Sequence, residues 1–396
     1  MITTYTGSLK EGKMQAEVFN QIDQKQKKYF DLLEKICNIE SNSADFEGVR
    51  AVNNALCDYA QGLGFAVRKQ EYAGAGATAV ISMNEDSNQK PLMFSGHMDT
   101  VYQKGAFGYP PVHVEGDMIY GPGVSDCKGG IIVALLAMDA LHQAGFTARP
   151  IRLFLQCDEE VGSRYSQRQS INNMIAEAQQ CAAFFNCETA RPGKVTLLRK
   201  GILKMTVRVH GKAAHAKDYM TGVSALVEAA HKIIRLHERS TADGPTYNCT
   251  LAPMEGSSNT VPDVCDIVID IRVATMAEAR EASDFVHQVA AECTLPGASG
   301  EVIREGMRPP MEPCEKNQRL FDQVNRICAR CGLGQLEPFM SAGGADASNV
   351  SQTGVPCLDS FGIEGGAYHT IKEYARLSSI PERAKVLAAV AMYYEE

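Results

Sequence analysis

Short apolar runs of strand length alternate with stretches of helical period along the first half of this sequence. Ala66 to Arg68, Ala79 to Ser82, Leu92 to Ser95, Ile151 to Leu155 and Ala182 to Phe185 read as strands. Between them, apolar spacing predicts helices over Glu17 to Ile39, Phe46 to Leu63, Gly129 to Gln143 and Ser170 to Gln179. A strand apolar at consecutive positions must bury both faces, so the alternation specifies an α/β sheet of largely parallel strands.

Near Lys200 the pattern changes. Leu203 to Val209 alternates with period two, and a helix is predicted from about Gly222 to Arg239. Strands follow at Thr246 to Glu255 and Cys265 to Val273, then a helix at Met276 to Cys293 and a strand near Glu301 to Arg304. This β-α-β-β-α-β order is the ferredoxin-like split arrangement. Arg308-Pro309-Pro310 is a natural linker, after which a helix (Glu315 to Cys331), a strand (Val355 to Asp359) and a last helix (Ser379 to Tyr394) resume the first pattern. The expectation is one α/β domain, residues 1–200 and 309–396, interrupted by an inserted α+β domain at 201–308.

The 396 residues carry 39 Lys plus Arg against 47 Asp plus Glu, a formal charge of −8, so electrostatics offers no reason to expect nucleic acid or an anionic membrane as partner. No charge-free run of 18 apolar residues occurs, and Met1 to Thr6 does not open a basic-then-apolar leader, which reads as cytoplasmic. The 13 cysteines are scattered, with one C-x-x-C pair, Cys328 and Cys331, at helical spacing. Free thiols in a reducing compartment are expected.

Ionisable residues concentrate at the ends of the apolar runs, where open α/β sheets hold their ligands. His97 and Asp99 follow Leu92 to Ser95, and a metal ligand with the carboxylate that orients its imidazole would have this spacing. Gly121-Pro122-Gly123-Val124-Ser125-Asp126-Cys127-Lys128-Gly129-Gly130 forms a tight turn before a helix, where Asp126 can cap the helix or bridge cations and Lys128 reads as a surface charge. Asp158, Glu159 and Glu160 follow another strand, three acids that need cations to stay ionised together. Glu188 ends a further strand, and His369 lies in the glycine-rich Gly365-Gly366-Ala367-Tyr368-His369-Thr370. Jointly, two histidines and four carboxylates suit two zinc-like ions sharing a carboxylate, with one Glu left as base. HExxH, Walker and G-x-S-x-G patterns are absent.

Gly96 to Val101, Gly121 to Gly130, Asp158 to Ser163 and the late His369 together resemble the M20 metallopeptidases, the family of glutamate carboxypeptidase, acetylornithine deacetylase, succinyl-diaminopimelate desuccinylase and aminoacylase. The resemblance spans nearly the whole chain. It implies a zinc-exopeptidase-like catalytic domain of mixed, mainly parallel sheet, with the insertion acting as a lid and dimerisation domain. It implies Asp126 as the bridging ligand, His97 and Glu188 completing one metal, and Glu160 and His369 the other. Asp99 would orient His97, and Glu159 would be the general base that returns its proton to the leaving amine. Two divalent ions are implied, zinc by default, with cobalt or manganese as alternatives.

In the lid, His215 matches the histidine that reaches the neighbouring subunit's site to stabilise the oxyanion, so a homodimer is implied. Asn259 and Arg272 would meet substrate, Arg272 as a fork for its carboxylate, and Gly343 and Gly344 would let backbone approach it. Relatives with Glu at the position of Glu188 are carboxypeptidases and acyl-amino-acid hydrolases, which points to a substrate with a free α-carboxylate. One departure is Cys127, where relatives usually carry an apolar residue. Cys127, Cys157 and Cys187 all lie beside proposed ligands, where a thiol can compete for metal or fill apolar space. The expected activity is cleavage of the amide before a C-terminal amino acid of a small peptide or N-acyl conjugate. The alternatives are an N-acyl-amino-acid deacylase and, more remotely, a metal-binding protein that lost the reaction.

Overall fold

The computed structural model describes residues 2–242, 244–252 and 257–396, with side chains from residue 12 onward. The chain divides into two compact units: Met1–Leu197 with Pro313–Phe339 and Ala345–Glu396, and Leu198–Glu312 with Met340–Gly344.

The first unit is built on a six-stranded sheet in the order Ala66–Tyr72, Gly76–Met83, Ile151–Gln156, Leu92–His97, Ala183–Asn186, Cys357–Leu358. The first two pairings are antiparallel and the other three parallel, giving a mixed, mainly parallel sheet. Every residue of Gly76–Met83, Leu92–His97 and Ala183–Asn186 is buried, as their largely apolar, non-alternating pattern requires. Helix Lys128–Gln143 is buried from Lys128 through Leu141 and packs between helices Ile2–Cys37 and Ser379–Tyr393. A helix apolar all round belongs at the centre of a core.

Most strands extend beyond their expected spans, whereas most helices stop one or a few residues short of theirs. The first helix begins at Ile2 rather than Glu17, because its polar N-terminal stretch has no apolar period to reveal it. The strand expected at Val355 to Asp359 is reduced to Cys357–Leu358. A small four-stranded sheet had no sequence signal. It joins His113–Glu115, Met118–Tyr120, Tyr374–Arg376 and Gly365–Gly366, and strands of two or three residues are too short to display a period.

The second unit is a four-stranded antiparallel sheet in the order Thr246–Leu251, Val264–Val273, Gly201–His210, Ser299–Arg308. Helices Ala225–Glu238 and Met276–Ala291 complete the β-α-β-β-α-β order. Alternate residues of Gly201–His210 are buried, which is the period-two pattern of a sheet with one face on the core. The helix expected from Gly222 starts at Ala225, where the Ser224 side chain accepts the Val227 N–H, and a 3₁₀ turn occupies Ala216–Thr221. The strand expected to reach Glu255 is seen to Leu251, and Pro253–Gly256 lie outside the described residues. No helix among the described residues is long and apolar enough to cross a membrane.

Candidate metal centre

Three neighbouring parallel strands of the first unit end side by side. His97 is the last residue of Leu92–His97 and pairs with Gln156, so the acids that follow Gln156 emerge next to it. Ser95 pairs with Asn186, which brings Glu188 to the same edge. Asp126 arrives from the turn ahead of Lys128–Gln143. Gly130 makes that approach possible, because a Cβ there would lie 1.7 Å from the Cys187 carbonyl oxygen.

The carboxylate of Asp126 faces two imidazoles. Its Oδ1 lies 3.0 Å from His97 Nε2 and its Oδ2 3.3 Å from His369 Nε2. His97 Nε2 also lies 3.7 Å from Glu188 Oε1, and His369 Nε2 lies 3.2 Å from Glu160 Oε2. Ligand atoms of His97, Asp126 and Glu160 fall within 4.8 Å of one another, as do those of His97, Cys127 and Glu188.

The three successive acids have different duties. Asp158 is fully buried and accepts from the Ser170 hydroxyl at 2.5 Å and the Ser166 N–H at 2.8 Å, so it anchors the loop and does not need a cation. Glu159 is 5% exposed, and its charge adds to the burial that chiefly raises the pKa of both Glu160 and Glu188. Asp99 organises the cluster from below. It accepts from Ser43 Oγ at 2.7 Å and from the Glu159 and Glu160 N–H groups at 3.1 Å each. Its Oδ1 is 3.4 Å from His97 Nδ1, while its own carbonyl oxygen is nearer at 3.0 Å.

Sequence reasoning missed Glu373. Pairing of Tyr374 with Tyr120 sets Glu373 beside the Gly121–Asp126 turn. Its buried carboxylate accepts the N–H groups of Gly123 at 3.1 Å, Ser125 at 2.8 Å and Asp126 at 3.0 Å. Lys128, expected on the surface, is instead fully buried, and its ammonium donates to the Ile36 and Ile39 carbonyls at the end of the first helix. Burial lowers its pKa, and those carbonyls satisfy it as they would a C-terminal cap.

Charges in the cluster are mutually adjusted. Burial alone would raise Asp126, but its hydrogen bonds to His369 and His97 outweigh that and hold it well below the usual carboxylate range. Burial, with the charges of Asp126 and Glu159, pushes Glu160 up to about 7. Burial likewise puts Glu188 well above its ordinary value. Hydrogen bonds to Asp126 and Glu160 raise His369 to about 10. Two imidazoles and several crowded acids on one concave edge form a nitrogen and oxygen donor set suited to divalent cations. Among the cysteines, burial raises Cys127 to about 12, and its sulfur accepts the His97 N–H at 3.2 Å. Cys157 and Cys187 are also raised by burial, and their thiols turn toward Asp158 and the Phe185 carbonyl.

The remaining candidates lie in the second unit, in two groups. His215 bridges Thr260, and the Ala216 N–H donates to the Asn259 carbonyl at 2.8 Å, which places the two candidate residues together. His215 Nδ1 accepts the Lys217 N–H at 3.2 Å, so the neutral ring carries its proton on Nε2. Arg272 is clamped by Asp270 at 2.6 Å and donates to the Ala342 carbonyl at 3.1 Å, next to Gly343 and Gly344. A Cβ on Gly344 would meet Arg308 Cδ at 2.5 Å, whereas one on Gly343 would meet nothing closer than 3.8 Å, so the tight position is Gly344.

A family model described as peptidase family M20/M25/M40 matches residues 93–393. Carboxypeptidase G2 of Pseudomonas sp. (strain RS-16) is 33% identical over 370 residues, 91% of this chain and 88% of that protein. Acetylornithine deacetylase of Aliivibrio fischeri (strain MJ11) is 25% identical over 264 residues, 62% of this chain and 67% of that protein. In fold, the chain resembles the crystal structure of aminopeptidase PepT from Bacillus cereus ATCC 10987, with a TM-score of 0.75, 18% identity, and coverage of 93% of this chain and 98% of that one.

Proposed function

The chain belongs to peptidase family M20/M25/M40 and is a hydrolase of that family, and on that footing we propose that it is a dizinc exopeptidase cleaving the amide before a C-terminal glutamate or similar residue. The observation that carries this reading is the division of the Asp126 carboxylate between His97 and His369, each imidazole flanked by a further acid.

His97, Asp126 and Glu188 would hold one divalent ion, and Asp126, Glu160 and His369 the second. Their donor chemistry favours zinc, with cobalt or manganese as alternatives. Such ions supply Lewis-acid polarisation of the amide carbonyl and acidify water. Glu159 takes a proton from the attacking water and returns it to the departing amine. Asp99 keeps the Glu159–Glu160 backbone and the His97 ring in place. His215, with its proton on Nε2, is suited to donate to an oxyanion, and doing so across a homodimer is part of this reading. Asn259 and Arg272 would bind substrate, Arg272 at its α-carboxylate, with Gly343 and Gly344 alongside. The protein would work in the cytoplasm.

The carboxypeptidase assignment is supported by the 33% identity to Carboxypeptidase G2 along nearly the full chain. A deacylase acting on N-acyl amino acids is the second reading, supported by the shorter likeness to acetylornithine deacetylase. The test is elemental analysis of the metal-loaded wild type and of Asp126→Ala, with hydrolysis of peptidyl and N-acyl amino acids that include C-terminal glutamates and N-acetylornithine. About two ions per chain and release of glutamate are expected, with at least one ion lost from Asp126→Ala. Two tightly held ions in that variant would contradict the bridge, and cleavage of N-acetyl substrates alone would promote the deacylase.

A further inference from the structure

A cavity of about 300 Å³ opens beside the metal centre, lined by Thr189, Arg191, Gly365, Gly366, Ala367 and Tyr368. Its two walls are the chain directly after Glu188 and the chain directly before His369. They are held together where the Ala190 N–H donates to the Ile363 carbonyl at 2.8 Å, and Thr189 Oγ1 ties one wall to the Ser125 carbonyl at 2.9 Å. Whatever is bound at the metal centre therefore has this cavity as an immediate neighbour.

Arg191 is the cation of the lining. Its guanidinium lies over the Phe339 ring, 4.3 Å from the ring centre, and Lys194 Nζ adds a second positive charge 6.0 Å from the same ring. No carboxylate pairs with Arg191 among the described residues, whereas Arg152, Arg208, Arg272 and Arg376 all have acidic partners. An unpaired, ring-stacked guanidinium next to an acid-rich centre is a ready partner for a carboxylate, which it can bind with two parallel hydrogen bonds.

We propose that Arg191 is a specificity-determining residue that binds a second carboxylate of the substrate in the Thr189–Tyr368 cavity, an inference that rests on the amidohydrolase reading. That carboxylate belongs either to the side chain of the released amino acid or to a dicarboxylic acyl group. The cavity is at the small end of ligand pockets and accommodates a group of side-chain size.

The test compares wild type, Arg191→Gln and Arg191→Lys on two isosteric pairs, each differing in one charge: N-acetylglutamate against N-acetylglutamine, and N-succinylalanine against N-succinamoylalanine. In Arg191→Gln the ratio of kcat/KM for the charged over the neutral member should fall roughly 10- to 100-fold, since a hydrogen bond to a charged group is worth about 1.5–3 kcal/mol. Arg191→Lys should recover only part of it, because an ammonium lacks the fork. A fall in the first pair assigns the side-chain carboxylate and a fall in the second the acyl carboxylate. Ratios within twofold of wild type in both pairs overturn the proposal. Calorimetric titration of the zinc-loaded protein with glutamate, glutamine, succinate and succinamate reads the same contact without turnover. If wild type cleaves neither these amides nor peptidyl glutamates, the amidohydrolase reading falls, and a preference for either dicarboxylate over its amide that Arg191→Gln abolishes still assigns the contact. No such preference overturns it.

Discussion

Glu373 accepts the backbone N–H of Asp126 at 3.0 Å, so a carboxylate from near the C-terminus sets the position of the residue that faces both histidines. The same carboxylate takes the Gly123 and Ser125 N–H groups and the Ser125 hydroxyl at 3.1 Å. Its pKa is raised, chiefly by burial and then by Asp126, which the turn's N–H groups partly offset.

Glu373→Ala would strand several buried donors at once, each worth about 1–3 kcal/mol when left unsatisfied. The variant should lose more than about 2 kcal/mol of stability and should bind metal more weakly, although Glu373 is not itself a proposed ligand. Urea denaturation with parallel elemental analysis measures both effects. Metal content equal to wild type would mean that the turn holds its shape without Glu373.

Glu159→Ala separates catalysis from architecture. Its neighbours Asp158 and Glu160 have other partners, Ser166 and Ser170 for the first and His369 for the second, so the loop should survive. Turnover should fall about 10²–10⁴-fold with metal content and thermal midpoint preserved. Near-normal kcat would remove Glu159 from the mechanism.

The strand-end residues were legible because apolar runs reveal where buried strands stop, which placed His97, Glu159, Glu160 and Glu188 on one edge. His369 drew notice as a histidine in a glycine-rich loop, but only the family pattern paired it with particular ligands, since no period points that loop to a sheet. Glu373 had no local signature at all: it becomes a buried anchor through a three-residue strand paired with Met118–Tyr120, and it bonds residues about 250 positions away. Lys128 misled for a related reason. A lysine in a turn reads as solvated unless the helix end that receives it, Ile36 to Ile39, is known to lie against it. The run Asp158-Glu159-Glu160 looked uniform in sequence, yet Ser166 and Ser170 take up the first acid.

The lid histidine has its own test. If His215 acts across a dimer, then His215→Ala and Glu159→Ala are each inactive alone but complement in a mixed dimer, where one of the two sites has both residues. Mixing after subunit exchange should restore a measurable fraction of activity, at most about a quarter of wild type if subunits pair at random. No recovery, with exchange confirmed by native mass spectrometry, would place the function of His215 within its own subunit or outside the reaction.

Glu228 and Lys232 form a buried pair at 3.2 Å inside the second unit. Lys232 donates to the Val289, Ala290 and Glu292 carbonyls, closing the end of helix Met276–Ala291, while Glu228 accepts the Thr294 and Leu295 N–H groups. Burial favours the neutral acid, but those N–H groups and Lys232 prevail, and Glu228 is held below its ordinary 4.5. A depressed carboxylate contributes stability above the unfolded-state value, and that contribution is lost as pH falls through the lower folded value. Glu228→Gln leaves the Lys232 charge without its partner and should cost roughly 3–5 kcal/mol at pH 7. The gap in urea midpoint between wild type and variant should then narrow as pH drops below about 4.5, since wild type alone loses a charge there. A gap that stays constant from pH 7 to pH 3 would show that the Glu228 charge does not stabilise the fold, leaving the lysine to be held by the helix carbonyls alone.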